Sequence, residues 1–150
     1  MHKLNFAEYQ FHITEKDGKQ TIFDQVRKKY VVLTPEEWVR QHVIQFLIIE
    51  KNVPVSLIVV EAEISLFKTR KRFDIAVFDR NGNALMVVEC KAPSVPLSRG
   101  VLDQAVRYNM TLKVGLLFLT NGLQHIMCRV DPTNGSIQQI SDLPGYPFNE

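Results

Sequence analysis

Cysteine is scarce, histidine is scattered, and no apolar stretch is long. The 150 residues include two cysteines and four histidines. Cys90 and Cys128 belong to no CxxC pair and no Cys/His array, which argues against a thiolate zinc site. Both lie in apolar runs that read as strands, so buried free thiols in a reducing cytoplasm are expected. His12, His42 and His125 have no partner at ligand spacing, and no Ser/His/Asp set is suggested. No GxxxxGK[ST] occurs, which excludes a P-loop motor from this stretch of chain. The opening MHKLNFAEYQ has no apolar signal-peptide core. No apolar run reaches the roughly 18 residues that a membrane span needs. The expectation is a cytoplasmic protein without a membrane partner. The formal net charge of +2 is too small to prove a polyanionic partner.

A chain of 150 residues corresponds to about one domain, large enough to bury a core without staples. We expect one domain over 1–150, with its core at about 30–130 and a strand-rich extension over 1–29. Local charge is more informative than net charge. Lys68, Arg70, Lys71 and Arg72 form one basic cluster, and Arg27, Lys28 and Lys29 form another. Each is either a solvated face or a phosphate-binding patch.

Turn and periodicity signals divide the chain. Phe11–Ile13 and Thr21–Phe23 flank Asp17-Gly18, a hairpin tip, and Lys29–Leu33 reads as a third short strand. Thr34 is a good N-cap, Pro35 fits the first helical position, and Glu37 completes a capping box. Trp38, Val39, Val43, Phe46 and Leu47 then recur at helical spacing, and the helix should end near Glu50. Strands follow at Ser56–Phe67, Lys71–Asp79 and Ala84–Ala92, the last two joined at Asn81-Gly82. A second helix is expected from about Ser98 to Leu112. Strands at Val114–Thr120 and Leu123–Val130 come next, then SIQQI, which can pair with the latter, and an irregular tail. Three consecutive strands make an antiparallel meander, and the second helix can return the fourth strand in a parallel sense. The prediction is an α/β fold with a mixed sheet flanked by helices.

Register places two acids together. If Asn81-Gly82 is the turn, opposed residues have numbers summing to 163. Val77, Ile75 and Phe73 then face Met86, Val88 and Cys90 on one side of the sheet. On the other side Phe78 faces Leu85 and Ala76 faces Val87. Asp74 then faces Glu89, with Arg72 opposite Lys91 beyond them. A one-residue slip would bury charge. Opposed Cβ atoms are about 4.5–5.5 Å apart, so Asp74 and Glu89 would be like charges in contact. Protonation, neutralisation by Arg72 and Lys91, or a divalent cation between them can each sustain such a pair. Lys91 projects on the same side as Glu89 and can hold a water or offset charge on phosphorus.

Asp74 followed by Glu89-Cys90-Lys91 on the next strand is the pattern D…ExK. It resembles the PD-(D/E)xK nuclease superfamily, whose restriction-endonuclease-like core has the order αβββαβ, with Phe73 here in place of the proline. LTPEEWVRQ, DIAVFDRNGNALMVVECKAP and DQAVRYN are similar to the N-terminal nuclease domain of type I restriction enzyme R subunits, over roughly residues 30–125. Gln104 and Tyr108 match the QxxxY motif of the RecB-like branch, and their spacing puts both on one helical face.

The resemblance implies a Mg²⁺- or Mn²⁺-dependent nuclease acting on DNA. Asp74, Glu89 and the Cys90 carbonyl would hold metal, with Glu37 as a further ligand by alignment. By periodicity, Glu36 sits nearer the apolar face. Lys91 would orient the attacking water, and Gln104 and Tyr108 would position the scissile phosphate or Lys91. Arg40, Arg70, Lys71 and Arg72 would contact the nucleic acid, although Arg40 can equally pair with Glu36 or Glu37. Glu61 either lies near the site or pairs with the basic cluster. Restriction-system or repair subunits are the implied protein partners. ATP-driven coupling does not carry over, because no P-loop is present. The alternative is a nuclease-fold module that binds nucleic acid or a partner without cutting.

Overall fold

Asp17 and Gly18 make the first turn. Both take positive φ, 54° and 77°, as a type I′ hairpin requires. They join β1 (Ile13–Lys16) to β2 (Lys19–Asp24), and β3 (Lys29–Val32) completes a three-stranded antiparallel sheet. The structure, a computed structural model, describes residues 1–149.

Helix α1 (Pro35–Gln45) starts as the sequence predicts. The Thr34 hydroxyl accepts from the Glu37 N–H at 3.0 Å, and Pro35 needs no partner at the first helical position. The helix runs on through a π-helical turn, Phe46–Glu50. Six strands then form a second sheet: β4 (Ile58–Leu66), β5 (Thr69–Phe78), β6 (Ala84–Cys90), β7 (Leu116–Thr120), β8 (His125–Val130) and β9 (Ile137–Ile140). They lie side by side in chain order. Only β6 and β7 pair in parallel, and α2 (Arg99–Leu112), capped by Ser98, makes the crossover between them. The expected order α1-β4-β5-β6-α2-β7 and the mixed sheet are both present.

One helix covers each face. Val39, Val43, Ile44 and Leu47 of α1 pack with Ile75, Val77, Met86 and Val88. Ala105, Val106 and Leu112 of α2 pack with the alternate residues Ala76, Val87 and Leu117. Each large side chain buried this way contributes about 1.5–3 kcal/mol. Cys90 and Cys128 are buried free thiols, as expected. The N-terminal segment has no strand before Ile13, yet it is anchored. The Asn5 N–H donates to the Gly122 carbonyl at 2.7 Å, and Leu4 is in the α1-side core. Gly122 has φ +87°, and a Cβ there would meet Leu4 Cδ2 at 2.8 Å. The tail after Ile140 is irregular, as predicted, but Leu143 and Phe148 are buried against the same core. No helix among the described residues is long and apolar enough to cross a membrane.

The β5–β6 hairpin departs from the simplest expectation in two ways. First, its loop is Arg80-Asn81-Gly82, closed by Asp79 N–H to Asn83 carbonyl at 2.9 Å, with only Gly82 at positive φ. This is a type I turn followed by a left-handed glycine. The shorter register is corrected by one extra residue, Leu85. Phe78 pairs with Ala84, but Val77 pairs with Met86 and Ile75 with Val88, as the sum of 163 requires.

Second, β4 and β5 change faces together. Ile58, Ile75 and Val77 point into the α1-side core, but Ala62 and Phe73 point into the α2-side core. The β4–β5 pairing keeps its register across the change, from Val60 with Ile75 to Ala62 with Phe73. The break falls at Glu61, which has φ +55°, opposite Asp74. A non-glycine at positive φ inside a strand is uncommon and strained. Phe73 therefore does not share a face with Ile75 and Val77, which corrects the simple alternation.

Candidate active site

The face change sets the Asp74 geometry. Its side chain does not stand in a row with Glu89. One carboxylate oxygen, Oδ2, accepts the Cys90 N–H at 2.8 Å, and Oδ1 accepts Arg40 Nη2 at 2.8 Å. Asp74 thus ties the end of β6 to helix α1.

Arg40 is the first link of a buried ionic chain. Its Nη1 donates to Glu37 Oε1 at 2.7 Å. Arg27 Nη2 donates to both Glu37 oxygens, at 3.0 and 2.9 Å, and Gln41 Nε2 reaches Oε2 at 3.1 Å. Arg27 Nε and Gln41 Nε2 also meet Asp24 Oδ2, at 2.7 and 2.9 Å. Asp24 Oδ1 accepts the backbone N–H groups of Val26 and Arg27. Burial pushes the Asp24 carboxyl up, but hydrogen bonds from the Arg27 N–H, its guanidinium and Gln41 hold it below its ordinary value. Burial pulls the Arg40 guanidinium down, and Asp74 and Glu37 more than reverse that.

Two expectations change here. Glu37, expected as a metal ligand, is 6% exposed and spends both oxygens on Arg27, Arg40 and Gln41. The other first-helix glutamate, Glu36, lines the cleft instead. The capping box is also half formed, because the Glu37 carboxylate is drawn to the arginines. Arg40, expected on the nucleic acid, is bridged between two carboxylates. Sequence reading missed Asp24 and Gln41, and it placed Arg27 in a basic cluster on a solvated face or phosphate-binding patch rather than in this chain of charges. The available signal was the spacing of Glu37, Arg40 and Gln41 at i, i+3 and i+4 on one helix.

The second half of the site is less well satisfied. Glu89 and Lys91 border two adjoining hollows, together with Phe73. One, of about 220 Å³, is also lined by Glu36, Arg40, Glu61, Arg72 and Asp74. The other, of about 210 Å³, is lined by Lys71 and by Val101, Gln104, Ala105 and Tyr108 of α2. Asp74 and Glu89 therefore meet at one cleft, and Gln104 and Tyr108 meet Glu89 and Lys91 at its neighbour. Glu89 Oε1 is buried without a hydrogen-bond partner, and the nearest cation, Lys71 Nζ, is 3.8 Å away. Burial pushes the Glu89 carboxyl up and Asp74 adds to it. Lys71 and Lys91 pull it back only in part, leaving it at about 7 against an ordinary 4.5.

Lys71 has a different setting from its neighbours in the basic cluster. Its ammonium lies 5.4 Å from the Phe73 ring centre and 5.5 Å from that of Tyr108. Phe73 and Lys71 are two apart on β5, so the changed face carries both into the α2-side hollow. Arg72 lines the acidic cleft, whereas Arg70 is exposed and pairs with Glu63 at 3.1 Å. Glu61 lines the cleft, and Arg27 Nη1 stands 4.0 Å from it. The Cys90 carbonyl lies between Glu89 and Lys91 in the chain. Among the described residues no three His, Cys, Asp or Glu side chains converge as a metal cage.

The comparisons with known proteins bear on the family and the fold. The family described as "Type I restriction enzyme R protein N terminus (HSDR_N)" matches residues 35–144. The chain belongs to this family. The match takes in α1, both carboxylate-bearing strands and α2. A solved structure described as a fragment of an assigned HsdR subunit of a type I restriction enzyme from Vibrio vulnificus YJ016 is 25% identical, with a TM-score of 0.55. The alignment covers 77% of this chain but 24% of that one, so the HSDR_N chain spans about a quarter of that relative's length. A structure assigned as a nuclease of the DUF820 group, from Anabaena variabilis ATCC 29413, shares the fold. Its TM-score is 0.52 at 11% identity, over 90% of this chain and 86% of that one. No curated protein matches the sequence.

Proposed function

We propose that this HSDR_N chain hydrolyses DNA phosphodiester bonds with the help of Mg²⁺ or Mn²⁺. The observation that carries the reading is the buried Glu89 oxygen that lacks a hydrogen bond and has only Lys71 at 3.8 Å, at a cleft shared with Asp74 and Lys91. A buried acceptor left unpaired is costly, and a cation would satisfy it. The donor set suits a hard ion, which takes oxygen ligands and often only one or two carboxylates plus water. Asp74 and Glu89 would hold it, with the Cys90 carbonyl. Each Asp74 oxygen accepts one hydrogen bond and keeps a second lone pair free. When bound, the ion supplies Lewis-acid neutralisation of phosphate charge.

The protein groups do the rest. Lys91 orients the attacking water and offsets charge that develops on the phosphoryl oxygens. Gln104 and Tyr108, on the facing helix, position the phosphate and restrain Lys91. Arg72, at the cleft, and Arg70 hold flanking phosphates, so affinity falls with salt and depends little on sequence. Protein partners would be subunits of a restriction or repair system.

Digestion of single- and double-stranded DNA with Mg²⁺ or Mn²⁺ tests the reading. Cleavage by the wild type that disappears in Lys91→Ala is the expected result. Absence of cutting on every substrate, or undiminished cutting by Lys91→Ala, overturns it. One observation favours a second reading, a binding module without catalysis. Arg40 already clamps one oxygen of Asp74. Calorimetric titration separates the two: Mg²⁺ or Mn²⁺ binding that is lost in Asp74→Ala favours the enzyme. DNA binding without metal binding favours the module.

A further inference from the structure

The β4–β5 hairpin runs past the rest of the sheet. β5 pairs with β6 only from Ile75 to Phe78, but it stays paired with β4 as far as Leu66 and Thr69. The two-residue tip, Phe67-Lys68, therefore ends an arm that leads away from the acidic cleft and curls over the α2-side face, where Ile64 and Leu66 pack and residues 63–66 share a hollow with Gly82, Ala84 and Leu112. Phe67 is 91% exposed and has φ +56°, while Lys68 keeps a negative φ. In two-residue turns with positive φ only at the first position, glycine is the usual occupant. A bulky aromatic is an outlier there. Neither packing nor turn geometry explains this phenylalanine. Strained backbone of this kind concentrates where a side chain has work to do.

Its surroundings indicate the partner. Arg70 and Arg72 are two apart on β5, so they share one side of the strand, and Lys68 stands next to Phe67 in the turn that leads into it. Arg72 ends the series at the cleft that holds Asp74 and Glu89. Against these cations the same side offers Glu63, paired with Arg70. An exposed aromatic at the head of a cationic track matches the chemistry of a nucleic-acid strand: phosphates for the cations and a base face for the ring. Seven residue steps separate Phe67 from Asp74, a contour of about 23 Å at roughly 3.3 Å each. That is about seven steps of one DNA strand at roughly 3.4 Å per step.

We propose that Phe67 stacks on a DNA base, held there by backbone contacts from Lys68 and Arg72, several nucleotides from the bond at the cleft. The choice of DNA rests on the nuclease reading above; the arm itself does not require that the chain cut. The ring stacks on an unpaired base or wedges between paired ones, and the substrate strandedness decides which.

The test is fluorescence-anisotropy titration of the whole chain on single- and double-stranded oligonucleotides over a range of salt, beside the cleavage assay. Phe67→Ala is expected to weaken binding on the order of tenfold at every salt concentration without changing the salt slope, and Phe67→Trp to restore it. Lys68→Ala is expected to lower the slope by about one. Phe67→Gly serves as the control for folding: relief of the turn should raise the melting temperature while DNA affinity falls. Affinity in Phe67→Ala within twofold of wild type on both substrates overturns the arm, even where Lys91→Ala shows that the nuclease reading holds. Affinity that depends on Phe67 in a chain that never cuts supports the arm and removes the nuclease reading. A wild type that binds no DNA removes both.

Discussion

Two ionic clusters meet at Asp74, and they are built on opposite terms. The chain from Asp24 through Arg27, Glu37 and Arg40 alternates charge at 2.7–3.0 Å and satisfies nearly every acceptor. The cluster of Glu89, Lys71 and Lys91 is loose, with a bare oxygen and its nearest cation at 3.8 Å. Both are largely buried, so burial alone does not distinguish them. What differs is whether the protein supplies its own counter-ions. The first cluster meets every one of its carboxylate oxygens with an internal donor, though Arg40 Nε is left without a partner, and it fixes α1 to the sheet and aims Asp74. The second leaves room for a ligand to complete it.

Breaking the complete side should be the costliest change. Glu37→Ala leaves Arg27 and Arg40 buried without their shared carboxylate. Unfolding by denaturant should show a loss of about 3–5 kcal/mol. A loss below about 1 kcal/mol would mean that the chain of charges does not hold the helix.

On the incomplete side stability depends on pH. Glu89 has an ordinary value of 4.5, which stands for the unfolded chain, and about 7 in the fold. Below 4.5 both states hold the proton and nothing is lost. As pH rises from 4.5 to 7 the folded state becomes the tighter proton holder, so stability falls, by about 3 kcal/mol in all. Glu89→Gln should flatten that slope and be more stable than wild type at pH 8 without divalent cations. An unchanged slope would remove Glu89 as its source.

Lys91→Ala sharpens the comparison from the side of activity. The rate of DNA cleavage should fall at least about a hundredfold, with the melting temperature little changed, because Lys91 is outside the Glu37 chain. The smallest effect concerns His42, packed between Phe6, Phe11 and Trp38. Burial holds its imidazole below the ordinary 6.5, against the pull of the Trp38 carbonyl. The unfolded chain takes up a proton first, so stability is full above 6.5 and declines as pH falls below it. Thermal melts between pH 5 and 7, in a Glu89→Gln background that removes the opposing slope, should show this decline. A further His42→Gln change should abolish it.

Much of the frame could be read from local chemistry. Thr34-Pro35 announced α1, the Asn81-Gly82 turn and the apolar alternation of β5 and β6 set the register, and Ser98 opened α2. The resemblance carried by Asp74, Glu89 and Lys91 named residues that the fold does gather at one cleft. The remainder depends on events that leave little trace in a linear pattern. Leu85 is an ordinary apolar residue that becomes the extra member of a bulge. Glu61 takes a glycine-like φ without being glycine, so the exchange of faces at Asp74 has no local signal. Glu37 satisfied a capping rule and an alignment at once, but Arg27, ten residues earlier in the turn between β2 and β3, decided its partners.

That exchange of faces has a consequence for approach. Asp74 is reached from the side of α1, whereas Glu89 and Lys91 also open toward α2. All three line the α1-side hollow, and Glu89 and Lys91 also line its α2-side neighbour. A molecule that engaged Asp74 together with Gln104 and Tyr108 would therefore have to straddle Glu89 and Lys91, with one helix on either side of it.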